Sequence, residues 1–170
     1  MSTNLSEQDQ DAWSRLAESY KTFSLALREF FSESIDRIAI MREALKGEDK
    51  HAAIYILAHL GIEDHKLLFK ELVFLASYAH GAIQAIRNII LSLPRDWVLG
   101  HIEEAAEPLL RSDGDDIDDT YRRLLELYSQ LDRSLALKLA RRAAAHSDHD
   151  TREAGEEFLR QLESTGDERA

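Results

Sequence analysis

The chain has 170 residues, of which 32 are acidic and 21 basic, for a net charge of −11; it carries 7 glycines, 2 prolines and no cysteine. The missing cysteine excludes disulfides, thiolate catalysis and Cys-bound zinc or iron–sulfur centres, and the scarcity of Gly and Pro argues against a sandwich or barrel of tight hairpins. The negative charge is spread along the chain, −4 over residues 1–85 (13 acids, 9 bases) and −7 over 86–170 (19 acids, 12 bases), and such a balance repels phosphate backbones and anionic lipid.

The first ten residues lack the basic start and apolar run of a signal peptide. Apolar runs such as Leu72-Val-Phe-Leu-Ala fall short of the ~20 residues a membrane helix needs. A cytoplasmic protein with no membrane partner is the expectation.

Apolar residues recur at three- and four-residue spacing almost throughout, the pattern of helices with one buried face. The first stripe runs Trp13, Leu16, Tyr20, Phe23, Leu27, Phe30. It resumes one position later as Phe31, Ile35, Ile38, Met41, Leu45, with Ser32 and Ser34 at the slip. Serine favours caps over helix interiors, so two helices are predicted, 6–31 and 33–46, with one kinked helix as the alternative. Gly47 ends the second, and a third, carrying Ala53 and Ile56, closes at Gly61. Asp64 is placed to cap a helix through Leu67, Leu68, Leu72 and Leu75, and another carries Ala79, Ile83, Ile86, Ile90 and Leu93. Pro94 suits a first helical turn and opens a helix through Trp97, Ile102, Ala105 and Leu109, which Pro108 should kink. After the Asp-rich loop at 112–116, helices follow near 117–131, 133–146 and 150–163, with Asp132 and Asp150 where N-caps belong. Residues 164–170 read as a frayed tail.

The predicted fold is therefore all-α, eight or nine helices in one domain spanning 1–170. A capping helix at 6–31 precedes four helix pairs within 33–163, at 33–61, 63–93, 94–131 and 132–163, and steps of thirty to forty residues are typical of helix-pair repeats. The last pair joins an Ala/Leu-rich helix from Leu135, through a polar turn with Asp148 and Asp150, to Thr151-Arg-Glu-Ala and then Phe158-Leu159. This text resembles a HEAT repeat, whose second helix opens with an Asp, a β-branched residue, an Arg and an Ala; the proline-bearing helix from 94 is similar to the first helix of such a unit. The resemblance is clearest over 94–163. It implies an α-α superhelix with a concave face that grips a partner, and it fixes no function by itself. Leu139 and Phe158 are expected in the core of the last pair.

No constellation of catalytic or cofactor-binding residues stands out. Counted from Asp113, a calcium loop would place Ile117 fifth, Asp118 sixth and Leu124 twelfth, which breaks the ligand pattern; Asp118 or Asp119 is expected to cap the following helix instead. The seven histidines show no His-x-x-x-His or His-Glu-x-x-His spacing, nor the repeated His-Glu dipeptides of HEAT-like metal hydroxylases, although His59, Glu63, Asp64 and His65 could converge around Gly61. Neither a nucleophile elbow nor a phosphate loop is present, and Gly100 reads as a site of close helix packing. The doublets Arg122-Arg123 and Arg141-Arg142, with Arg152 and Arg160, alternate with acids as on a solvated face. No catalytic residue, metal ligand or cofactor is nominated. Candidate partner contacts are Trp13, Arg87, Arg122 and Arg141.

The function expected is a non-enzymatic interaction module, an acidic α-solenoid binding another protein, one with a basic surface, along its groove or through the aromatic N-terminal helix. Two alternatives remain: an immunity or antitoxin-like protein neutralising a basic toxin, and a HEAT-like enzyme acting on a small molecule or nucleic acid. Oligomeric state is left open.

Overall fold

The computed structural model describes residues 6–78, 80–111, 114 and 116–167, with side chains to Ser164. Among these residues there are ten helices and no strand. They are α1 (Glu7–Glu33), α2 (Arg37–Ala44), α3 (Lys50–Leu57), α4 (Ile62–Leu67), α5 (Phe69–Ala76), α6 (Ile83–Ser92), α7 (Arg95–Leu110), α8 (Ile117–Leu131), α9 (Arg133–Ala144) and α10 (His149–Asp167). The chain divides within α2 into an N-terminal unit ending at Met41 and a larger unit beginning at Arg42.

In the N-terminal unit, Ser6 caps α1 by accepting the Asp9 amide (3.1 Å), while its hydroxyl donates to the Asp9 carboxylate (2.6 Å), so two groups of the first turn are satisfied together. The predicted break is present but lies later, at 34–36. Ser34 takes extended dihedrals at the end of α1, and Asp36 accepts the Ala39 amide (2.9 Å) to start α2. Ser32 stays inside the helix, its hydroxyl turned back onto the Glu29 carbonyl.

In the larger unit, the stretch expected as one helix from Asp64 is two short ones divided at Leu68, and Asp64 lies inside α4 rather than at its cap. Helix α8 is the centre of the unit. It buries Ile117, Tyr121, Leu124, Leu125, Leu127, Tyr128 and Leu131 and touches α5, α6, α7, α9 and α10. Each large side chain so buried contributes about 1.5–3 kcal/mol. Contacts of α5 with α6, α7 with α8 and α9 with α10 join sequential helices, while α5 with α7, and α6 with α8 with α10, join every second one. The result is two layers, α5–α7–α9 and α6–α8–α10.

The α9–α10 crossing is the tightest. Ala136, Ala140 and Ala143 face Thr151, Ala154 and Gly155, all buried. A Cβ on Gly155 would stand 2.7 Å from both the Ala140 carbonyl oxygen and the Ala143 carbonyl carbon. Gly100, by contrast, is exposed with open space at its Cβ position, so it is not the close-packing glycine. Asp132 caps α9 as expected, accepting the Ser134 and Leu135 amides at 2.9 and 3.1 Å. Asp150 does not cap α10; that bond belongs to Asp148, which accepts the Thr151 amide at 2.8 Å. Asp118 and Asp119 lie in the first turn of α8 without capping it, and Asp119 pairs with Arg123 (3.2 Å). Pro108 is accommodated near the end of α7, which continues through it to Leu110. Leu139 is core, whereas Phe158 is only partly buried.

Candidate interaction surfaces

The arginines nominated from sequence come to different ends. Arg87 is 6% exposed, and its guanidinium donates to Glu126 (2.6 Å) and to the Arg123 carbonyl (3.0 Å), tying α6 to α8. Arg122 pairs with Glu157 (3.1 Å), tying α8 to α10. Their role is therefore internal to one layer. The other layer is tied in the same way: Lys70 of α5 meets Glu104 of α7 (3.2 Å), and Lys138 and Arg142 of α9 meet Glu103 and Glu107 of α7, both at 2.6 Å. Glu107 also takes Arg111 (2.6 Å). The bonds from Arg142 first, then Arg111, hold its carboxyl below the ordinary range, and the Glu107 bond raises Arg142 in turn.

Arg152 donates to the carbonyls of His146, Ser147 and Asp148 (3.0, 2.8 and 3.3 Å) just past the C-terminus of α9, where a cation complements the helix dipole. Arg160 donates to the Glu156 carbonyl (3.3 Å). Arg141 is exposed. Arg122, Arg123 and Arg142 thus each pair with acids of the chain itself.

Trp13 is in the opposite situation. It is 69% exposed, with Leu16 at 62% and Tyr20 at 66%, and α1 buries none of its 27 residues. Phe23, Leu27 and Phe30 are partly buried. A helix normally gains its stability by packing an apolar face, so the exposed Trp13, Leu16 and Tyr20 leave apolar surface available for a further contact.

A cleft of about 440 Å³ lies between α4, α5 and α7, with Arg42 at its edge. Its floor is aromatic: Phe69 meets Trp97 edge-on (4.9 Å between ring centres), His101 stacks on Trp97 (4.2 Å), and Lys66 lies 5.7 Å over the indole. Each cation here has an acid: Arg42 with Glu71 (2.9 Å), Lys66 with Glu63 (2.8 Å), Lys70 with Glu104. The cleft can receive a flat or apolar group, but it is charge-balanced and offers no nucleophile beside a base. The sequence signal for it was the four-residue spacing of Trp97 and His101.

The histidines mostly bond backbone. His65 is buried with its Nε2 2.8 Å from the Leu57 carbonyl, His80 reaches the Leu75 carbonyl (2.8 Å) and His101 the Trp97 carbonyl (2.7 Å). This draws His65 away from the convergence expected around Gly61. Among the described residues one group brings three potential ligand atoms within 4.8 Å of one another, His149, Asp150 and Glu153, all exposed on the first turns of α10; its His-Asp-x-x-Glu spacing differs from the His-x-x-x-His and His-Glu-x-x-His patterns of zinc sites. Of the Asp-rich loop, Asp113 and Asp115 lie outside the described residues. No helix of the described chain is long and apolar enough to cross a membrane.

No family model matches the chain, and neither a curated protein nor a solved structure does.

Proposed function

We propose that the chain is a non-enzymatic protein-interaction module, a stacked-helix body of the HEAT-like kind whose aromatic N-terminal helix is its assembly surface. The observation that carries this reading is the exposure of Trp13, Leu16 and Tyr20 on a helix none of whose residues is fully buried. Apolar stripes of this size on a water-facing helix are a recurrent mark of a protein contact. The body supports the reading differently. Its cations are largely engaged in ties between its own helices, so the excess of acids, −11 over the chain, is what an approaching molecule meets. That charge steers a basic protein surface inward and turns a phosphate backbone away.

Co-purification from the native host, comparing the natural chain with a Trp13→Ser, Tyr20→Ser variant, tests the reading. A stoichiometric protein retained by the natural chain and lost by the variant supports it. A retained small molecule, indifferent to the variant, overturns it in favour of an enzyme or a carrier.

A further inference from the structure

We infer that the cleft between α4, α5 and α7 is a binding site for a free nucleobase-like heterocycle, a neutral planar ring with an N–H beside a carbonyl or ring-nitrogen acceptor. Every residue that lines it comes from Arg42 onward, so the inference stands apart from the reading of α1. Its volume of about 440 Å³ lies in the range of small-molecule sites, toward the end that suits one or two rings. Planarity follows from the floor. His101 lies on the Trp97 indole at 4.2 Å with 18° between the rings, and Phe69 meets the indole edge-on. One face of the imidazole is spent on the indole. The residue is otherwise exposed, so its second face is open to a further ring, and a base stacks on such a platform through its own π-face.

The hydrogen-bonding edge of the ligand follows from the histidine. Its Nδ1 lies 2.7 Å from the Trp97 carbonyl oxygen. A carbonyl only accepts, so Nδ1 carries the proton and Nε2 of the neutral ring is an acceptor. Nε2 has no partner among the described residues, and it calls for an N–H on the ligand. Lys66, its Nζ 5.7 Å over the indole, and Lys70 supply donors for the ligand's own acceptor. An ion suits the cleft less well. Arg42 is bound to Glu71, Lys66 to Glu63 and Lys70 to Glu104, so a charged ligand has to compete with a partner already in place. A neutral heterocycle uses only the donors those pairs leave spare. A base carried in a nucleic-acid strand brings phosphates, which a chain of net charge −11 turns away; the free base does not. Held by stacking and one or two hydrogen bonds, it binds at roughly 0.1–1 mM. So loose a ligand is lost in purification, which leaves the co-purification test of the α1 reading unaffected.

Titration of the full chain with hypoxanthine gives the test, at about pH 8, where an ordinary imidazole is neutral. The chain has two tryptophans, and a Trp13→Phe background leaves the indole N–H of Trp97 as a single reporter in heteronuclear NMR spectra. Two further probes separate the requirements. Caffeine keeps the purine plane with every N–H methylated, and valerolactam keeps the N–H beside a carbonyl on a saturated ring. Hypoxanthine should move the Trp97 signal saturably, caffeine should bind about 10-fold more weakly, and valerolactam should leave the signal unmoved. His101→Ala should weaken hypoxanthine about 10-fold with circular dichroism unchanged, while His51→Ala, at an exposed histidine outside the cleft, should have no effect. His101→Phe keeps a stacking ring and loses Nε2, so it should hold caffeine as before and bind hypoxanthine no better than caffeine. A Trp97 signal that stays still at millimolar hypoxanthine, equal binding of hypoxanthine and caffeine by the natural chain, valerolactam bound as tightly as hypoxanthine, or equal affinities of the His101→Ala and His51→Ala chains would overturn the inference. The interaction reading rests on α1 and stands or falls separately.

Discussion

Gly155 shows how much a single side chain can decide. Its missing Cβ lets α10 lie directly on the backbone of α9, and the atoms a methyl would meet are main-chain atoms of Ala140, Ala143 and, nearest of all, Ala144. Those cannot rotate aside, so Gly155→Ala should destabilise the fold by about 2–3 kcal/mol, the upper range for overpacking, where an ordinary exposed helix position would gain from the same change. Urea unfolding measures it, and Gly100→Ala, with open space around it, is the internal control. The capping carboxylates make a second residue-scale prediction. The Ser134 hydroxyl and then the Leu135 amide hold Asp132 below the usual carboxylate range, and the Thr151 amide does so for Asp148; Glu107 is held down by Arg142 and Arg111. A carboxyl whose native pKa is depressed stabilises the fold above its unfolded pKa, about 4, and loses that contribution as pH falls toward the native value. Stability should therefore be level from neutrality to about pH 5 and decline below about pH 4. Asp132→Asn should flatten the decline in pH-dependent thermal melts.

Among the helices, position was more legible than partnership. The three–four spacing located nearly every helix because burial of one face is a local property of sequence. It failed at Leu68, where α4 and α5 divide without a Gly or Pro to announce it, and at Asp150, where two acids two residues apart competed for one cap. Charged ties were invisible for a different reason: Arg87–Glu126, Arg122–Glu157, Arg142–Glu107 and Lys70–Glu104 join residues 34 to 39 apart, a spacing set by the stacking of helix pairs and absent from any one helix. Arg87 therefore read as a surface contact when it is a buried brace. Removing it should show the difference. Arg87→Ala removes the bonds to Glu126 and to the Arg123 carbonyl, and because Glu126 keeps Arg123 (3.3 Å) and some water, it is expected to cost about 1–3 kcal/mol. Lys70→Ala, whose ion pair is mostly solvent-exposed, should cost under about 0.5 kcal/mol. A double-mutant cycle of Arg87 with Glu126 separates the pair energy from lost packing.

At the scale of the whole chain, hydrophobicity and charge are unevenly spent. From Arg42 onward most apolar stripe residues are buried and most basic residues are paired, while on α1 Trp13, Leu16 and Tyr20 are exposed. Spacing alone could not say which of these residues stay exposed, since a buried stripe and an exposed one have the same period. The acidic excess leads to a prediction about partners: no appreciable binding of duplex DNA at physiological salt, because a bound duplex would have to draw arginines away from Glu107, Glu126 and Glu157. Electrophoretic shift at two salt concentrations checks it, and sub-micromolar binding that collapses with salt and on Arg141→Glu would count against the interaction reading.

Hydrogen exchange read by mass spectrometry tests α1 as the assembly surface most directly, comparing the dilute chain alone with the complex retained on co-purification from the native host. The account predicts that peptides within Glu7–Glu33 exchange freely in the dilute chain and become protected on assembly, while those of α8 are protected equally in both. Fast exchange of α1 in both states, or protection of α1 equal to that of α8 in the dilute chain, would contradict it.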